Sequence, residues 1–256
     1  MISSNHTHLT VHKLIPEEMP TLATALGDTP ETVISWYLLW TGSCQAWCVG
    51  NLHEPEAVVV QAHLMPAEPT AFGTSATAIA AIIPHIEGWE SLLVPANLAR
   101  DLERPIANAA GTLAISTLED VYHVLDGPVT AIPSKPEVRL LTPEDEELLG
   151  GSDAFTSNDM GETIIAGAVV NNEIVSLAHT FAWSPEYVDI GVMTHEDARN
   201  QGFATAAAAL VAEEIRKQGR TPVWSCGATN EPSLRIAAKL GFRETSRKVY
   251  IIPQKK

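Results

Sequence analysis

Along the second half of the chain the apolar positions switch between two spacings, and the switches mark out elements. Phe203, Ala207, Leu210, Val211 and Ile215 fall on one face at helical spacing, with Glu213, Glu214, Arg216 and Lys217 on the other and Gly219 as terminator. Upstream, Val138 to Leu141 predicts a short strand and Thr142 an N-cap followed by Pro143 and two acids, the start of a helix. Thr163 to Val170 is β-branched and apolar, and Ile174 to Ala182 and Tyr187 to Thr194 flank Trp183-Ser184-Pro185-Glu186 as a hairpin, which makes three antiparallel strands. Downstream come a strand at Thr221 to Cys226, a helix at Glu231 to Leu240 between Asn230 and Gly241, and a strand at Phe242 to Ile252. The predicted order is β-α-β-β-β-α-β-α-β.

The first half mixes elements in a loosely similar order, without repeat by residue identity. Glu31 to Trp40 predicts a helix, Gln45 to Val49 and Ala57 to Leu64 strands, Thr74 to Pro84 an alanine-rich helix, Ser91 to Val94 a strand and Pro95 to Glu103 a helix. Between the halves, Gly127 to Pro136 holds three prolines and can continue neither a helix nor a central strand. The expected division is therefore a first domain over 1–127, a linker over 128–137 and a second domain over 138–256.

Composition narrows the function. With 45% hydrophobic and 18% charged residues the chain is of globular type, and no stretch reaches the roughly 20 apolar residues of a membrane span. The polar start, Met1 to Thr10, lacks the basic and apolar regions of a signal peptide, so a cytoplasmic protein with no membrane partner is expected. Cys44, Cys48 and Cys226 have no zinc-site spacing and read as ordinary thiols; His6, His8 and His12 read as a scattered terminal run, and no metal is assigned. The net charge of −15 argues against nucleic acid. Its distribution is uneven: from Arg199 onward 11 lysines and arginines face four acidic residues, a balance of +7, and the residues before carry −22. A basic last quarter suits a small polyanion and an acidic remainder suits a cationic amine, although acidic surface alone also serves solubility.

The segment Arg199-Asn200-Gln201-Gly202-Phe203-Ala204-Thr205 lies between a strand and the long helix. Small residues there let backbone approach a ligand, and the first N–H groups of a helix, with the positive end of its dipole, suit a phosphate. Arg-x-x-Gly-x-Ala in this position, followed by Pro222-Val223-Trp224-Ser225-Cys226, Asn230-Glu231-Pro232-Ser233 and Ala238-Lys239-Leu240-Gly241-Phe242, resembles the acyl-CoA-binding signature of the GNAT superfamily over about Val138 to Ile252. Together with Gly191-Val192-Met193-Thr194, it is similar more narrowly to zwittermicin-resistance-type acetyltransferases and, more remotely, glycine N-acyltransferases. The resemblance implies an α/β (α+β) GNAT fold, a mixed and mainly antiparallel sheet flanked by helices, with a first half that is a degenerate GNAT-like domain without a CoA site.

It also implies an N-acetyltransferase moving an acetyl or similar group from acyl-CoA to a primary amine of a small molecule, as a monomer or homodimer. Val192, Met193 and Thr194 would hold pantetheine and the acyl carbonyl; Arg199, Asn200, Gln201, Gly202, Phe203 and Ala204 would wrap the pyrophosphate; Asn230 and Ser233 would touch the CoA arm, unless Asn230 is a plain N-cap and Ser233 a solvent-facing residue. For the base, Asp189 inside a strand and Glu186 beside it are candidates, with an edge acid as the bland reading of Asp189. His179 and His195 titrate in the right range, though His179 sits among apolar strand residues and reads as core or pocket lining. Many GNAT enzymes place a tyrosine as general acid where this chain has Ala237, so Tyr250 or Ser233 would have to substitute, or the thiolate leaves unprotonated. The missing tyrosine keeps open a CoA-binding protein with little turnover, and protein N-terminal acetylation is a further alternative. Trp36, Trp40, Trp47 and Trp89 are aromatic candidates for acceptor contacts, with core packing as the preferred reading.

Overall fold

A computed structural model describes residues 9–130, 135–149 and 163–254. His6 and His8 lie outside the described residues, as do 131–134 of the expected linker. The chain forms two compact units, and neither is continuous: the first takes Met1–Gly27, Ser35–Asp120 and Arg247–Lys256, the second Asp28–Ile34 and Val121–Ser246. The boundaries expected at 127 and 138 thus differ from those of the compact units, which exchange a loop near the start and a strand near the end.

In the first unit the strand order is β1 (Val11–Lys13), β2 (Cys44–Asn51), β3 (Glu54–Ala62), β4 (Thr70–Gly73), β5 (Leu92–Pro95), then the Lys248–Ile251 part of β12 (Arg243–Pro253). The apolar run of β3 is buried on both faces. Ala57 and Val59 pack with Trp47 and Val49 against α3 (Ala76–Ile82) and α4 (Ala99–Ala110), whereas Val58 and Val60 pack with Ala46 and Cys48 against α1 (Met19–Leu26) and α2 (Val33–Thr41). Among the described residues, β1, α1, β4 and β6 (Ile115–Val124) went unpredicted, as did a 3-10 turn at Pro16–Glu18. Trp47 is core, and Trp89 packs against it; Trp36 and Trp40 stack at 5.0 Å on α2. Burial pushes the Cys44 thiol up to about 12, which keeps it a protonated, inert core group at neutral pH.

In the second unit, β7 (Val138–Leu140), β8 (Ile165–Val170), β9 (Glu173–Trp183) and β10 (Tyr187–Thr194) pair antiparallel, and β11 (Thr221–Gly227) runs parallel to β10. The helix expected after Thr142 is a 3-10 turn at Pro143–Asp145 running into α5 (Glu146–Leu149). One face of the sheet is covered by α6 (Phe203–Lys217) and α7 (Glu231–Leu240): Val188 and Ile190 of β10 and Trp224 of β11 meet Ala207, Val211, Ile215 and Leu240. Alanines are what let α6 lie close, since Ala207, Ala208 and Ala209 are wholly buried. On the other face, Leu149 packs with Ile165 and Leu177, and Val33 packs with Val124 and Val223. Among the described residues no helix is long and apolar enough to cross a membrane.

Candidate functional site

The site grows from an unfinished strand pair. β10 and β11 match Tyr187 with Thr221, Val188 with Pro222 and Asp189 with Val223, and there the pairing stops, although β10 continues to Thr194 and β11 to Gly227. The backbone of Ile190 to Thr194 that faces β11 therefore lies outside the ladder, in a wedge where polar main-chain groups can meet a ligand. At the same point β9 makes a bulge, because Asp189 pairs with Ala182 but Ile190 with Thr180, which leaves Phe181 unpaired.

At the end of β10 the chain passes through a 3-10 turn, Glu196–Ala198, into a loop that enters α6. Asn200 and Gly202 both adopt left-handed conformations, with φ of 62° and 83°. Gly202 is the N-cap, so no side chain satisfies the first-turn N–H groups, and the first turn contains no acid. A 15-residue helix thus presents bare N–H donors and the positive end of its dipole. Arg199, mostly exposed, is only loosely held by Glu196 at 3.8 Å, and the Gln201 amide donates to Asp197 O. Phe203 is buried against Ala168 and Ala198, so its N–H rather than its ring is on offer to a ligand. One basic residue escaped the sequence reading: Lys135, from the expected linker, has its Nζ 5.6 Å from the Phe203 ring centre and its Cε 3.6 Å from where a Gly202 Cβ would sit. A lysine 67 positions away in the chain carries no local signal of this placement.

The remaining candidates divide. Val192 leans toward the α6 face, Met193 is exposed, and Thr194 shares a 2.8 Å hydrogen bond with Ser176. Asp189 is buried, and its carboxylate accepts the Ser225 hydroxyl at 3.2 Å. Glu186 is exposed in the β9–β10 turn, where its N–H donates to the Asp28 carboxylate at 2.9 Å. Asp28 also accepts the Ser184 hydroxyl, so a residue from early in the chain braces the hairpin that carries Asp189. Tyr250 belongs to the first unit, paired opposite Leu93 of β5; burial, then Asp120 and Glu68, push its hydroxyl up and make it a weaker acid. Asn230 caps α7 by accepting Ser233 N–H at 3.2 Å, and the Ser233 hydroxyl accepts the Trp224 indole N–H at 2.9 Å. Ala237 is buried in the core beneath α6. His195 is exposed, whereas His179 is held on β9 opposite Gly191, and burial pulls its imidazole below the ordinary value.

Known structures share this fold. No curated protein sequence matches the chain. Among solved structures, a Drosophila protein of 15% identity superposes with a TM-score of 0.67, covering 96% of this chain and 99% of its own. A GCN5-related N-acetyltransferase-like protein from Streptococcus suis, 19% identical, gives 0.65 over 93% of this chain and 99% of its own. A tandem GNAT protein from the clavulanic acid biosynthesis pathway, 15% identical, gives 0.58 over 95% and 97% and fits the two-part architecture. Residues 141–250 match the GNAT acetyltransferase family model, and the chain as a whole has the GNAT fold.

Proposed function

We propose that the second unit transfers an acetyl group from acetyl-CoA to a primary amine of a small molecule, by direct attack in a ternary complex. One observation carries the reading. Within a single unit, the wedge that opens beyond Asp189 and Val223 runs along β10 to a long helix whose N-terminus is uncapped and flanked by left-handed Asn200 and Gly202. The pyrophosphate fits the bare N–H groups of α6 with Lys135 and Arg199 as added charges, and the pantetheine amides fit the unpaired edge of Ile190 to Thr194. A backbone N–H near Val192 or Met193 would polarise the thioester carbonyl. The amine nitrogen then bonds to the carbonyl carbon, the carbon–sulfur bond breaks, CoA leaves as thiolate, and the proton lost by the nitrogen passes to the thiolate or to water. The acidic charge of the residues before Arg199 favours a cationic acceptor. Within the superfamily, the Gly191-to-Thr194 and Asn230-x-x-Ser233 segments support the zwittermicin-resistance-type subgroup.

A second reading, a CoA binder with little turnover, is favoured by Ala237, which is buried where many GNAT enzymes place their acidic tyrosine. Calorimetry with acetyl-CoA followed by thiol release over a panel of amines decides. Micromolar binding with thiol release supports the transferase, binding without release supports the binder, and no binding removes both.

A further inference from the structure

The ladder between β10 and β11 is three residue pairs long, and the wedge beyond it opens from wherever those pairs are held. A ladder that short frays readily unless its ends are tied. β11 is tied on its far side, where Leu125 N–H donates to Pro222 O at 3.1 Å. β10 is tied by a residue from early in the chain. The half-buried Asp28 carboxylate takes two hydrogen bonds from the β9–β10 turn: Ser184 Oγ donates to Oδ1, and Glu186 N–H donates to Oδ2 at 2.9 Å. Ser184 is buried, and its Oγ in turn accepts Tyr187 N–H at 3.0 Å. Glu186 O accepts Thr221 N–H at 2.8 Å, the bond that starts β11 alongside β10. A single carboxylate therefore sets both the residue before the first pair and a residue within it.

Further along the same segment, Val33 meets the other end of the ladder. It is buried with Val124 and Val223, and Val223 with Asp189 is the last pair before the strands part. Val33 lies on the face away from α6, because Trp224, the residue after Val223, packs on the α6 side. One step on, the Ser225 hydroxyl reaches Asp189 at 3.2 Å, a side-chain link between strands whose backbones are no longer paired. Asp28–Ile34 belongs to the second unit, although the residues on both sides of it in the chain belong to the first.

On the acetyltransferase reading proposed above, we infer that Asp28 and Val33 are positioning residues: their segment pins the apex of the wedge and so fixes how far β10 stands from β11 where pantetheine would lie. They act through Glu186 and Tyr187 at one end of the ladder and Val223 at the other, rather than by touching CoA. Without the Asp28 carboxylate, a buried hydroxyl and a main-chain N–H lose their acceptor, the first pairs loosen, and the edge from Ile190 to Thr194 shifts against β11. The first turn of α6 lies past the far end of β10, after a 3-10 turn and a loop, and keeps its place. Two parts of one ligand are thereby separated: the pantetheine arm depends on Asp28, and the pyrophosphate does not.

The test uses the whole chain and two ligands, acetyl-CoA and the phosphorylated ADP portion of CoA, which keeps the pyrophosphate and lacks pantetheine. Asp28→Ala should weaken acetyl-CoA about tenfold in calorimetry and leave the ADP portion, measured by competition, within about twofold of the parent. Asp28→Asn, which keeps one acceptor oxygen, should fall between the two, and Val33→Ala should weaken acetyl-CoA in the same selective way. Retained binding of the ADP portion shows that a variant is folded; where Asp28→Ala loses both ligands, Asp28→Asn and Val33→Ala decide by the same comparison. Equal loss of both ligands in all three variants, or no loss of acetyl-CoA in any, overturns the positioning role and leaves the transferase standing. A parent protein that binds neither ligand overturns the transferase and the positioning role together.

Discussion

In both units a strand leads into a helix and the next strand runs parallel to the first, yet the two junctions are finished in opposite ways. In the first unit β4 meets β5 at a single pair, Thr70 with Leu93, and its exit is stitched to β3, where Thr74 N–H donates to Glu56 O. Gly73 is pressed so close that a Cβ would stand 2.3 Å from that same carbonyl. The helix that follows, α3, has seven residues and a Ser75 hydroxyl that accepts Ala78 N–H at 3.2 Å. In the second unit α6 has 15 residues, begins at a glycine with no side-chain cap, and follows an open wedge. One helix start gives a donor to its own serine; the other leaves its first turn without a side-chain cap. An anion site is lost as soon as its helix is properly capped.

This contrast can be broken most forcefully at Gly202. Gly202→Glu places a carboxylate at the α6 N-terminus and a side chain at φ 83°, and acetyl-CoA affinity should fall by about 100-fold or more. The parent should bind one acetyl-CoA per chain; a stoichiometry of two in calorimetry would mean that the first junction is not closed. Next in size is the brace at the start of the second unit. Arg139 donates two hydrogen bonds to the Asp145 carboxylate, both at 2.6 Å, and holds that carboxyl well below the usual carboxylate range. Asp145→Asn should cost about 1.5 to 3 kcal/mol at pH 7, read from urea midpoints. Because the folded value is depressed, the parent's advantage is complete above the ordinary carboxylate range and disappears as pH falls through it toward the lowered value. An advantage that grew in acid would contradict the pairing.

Lys135→Ala should weaken acetyl-CoA about tenfold, and the deficit should shrink as salt rises, because a phosphate contact is screened. Smallest is Ser75→Ala, expected to lower stability by about 1 kcal/mol with acetyl-CoA affinity unchanged. If affinity changes with it, the capped junction takes part in binding after all.

How much could be read beforehand follows from how local each signal is. β10, α6 and α7 were legible because alternation or helical spacing coincides with caps, and Gly241 closes α7 in a left-handed conformation, with φ of 95°. β3 was legible as a run buried on both faces. β1 and β4 are three and four residues long, too short for a period to show. β6 begins with the partly or largely exposed Ile115 to Glu119, so its first half carries no alternation. The loop from Arg199 to Gly202 announced itself through its glycine. Lys135, and the Asp28 carboxylate bonded to the β9–β10 turn, did not, because each depends on what tertiary structure brings beside it.

The discontinuous units have a consequence for synthesis. The Lys248–Ile251 segment that pairs with β5 of the first unit is translated after every other element of the second, so the earlier unit cannot complete its sheet while the ribosome is still making the later one. The order of emergence from the ribosome and the order of completion are reversed, and the unit that begins the chain is the one that must wait.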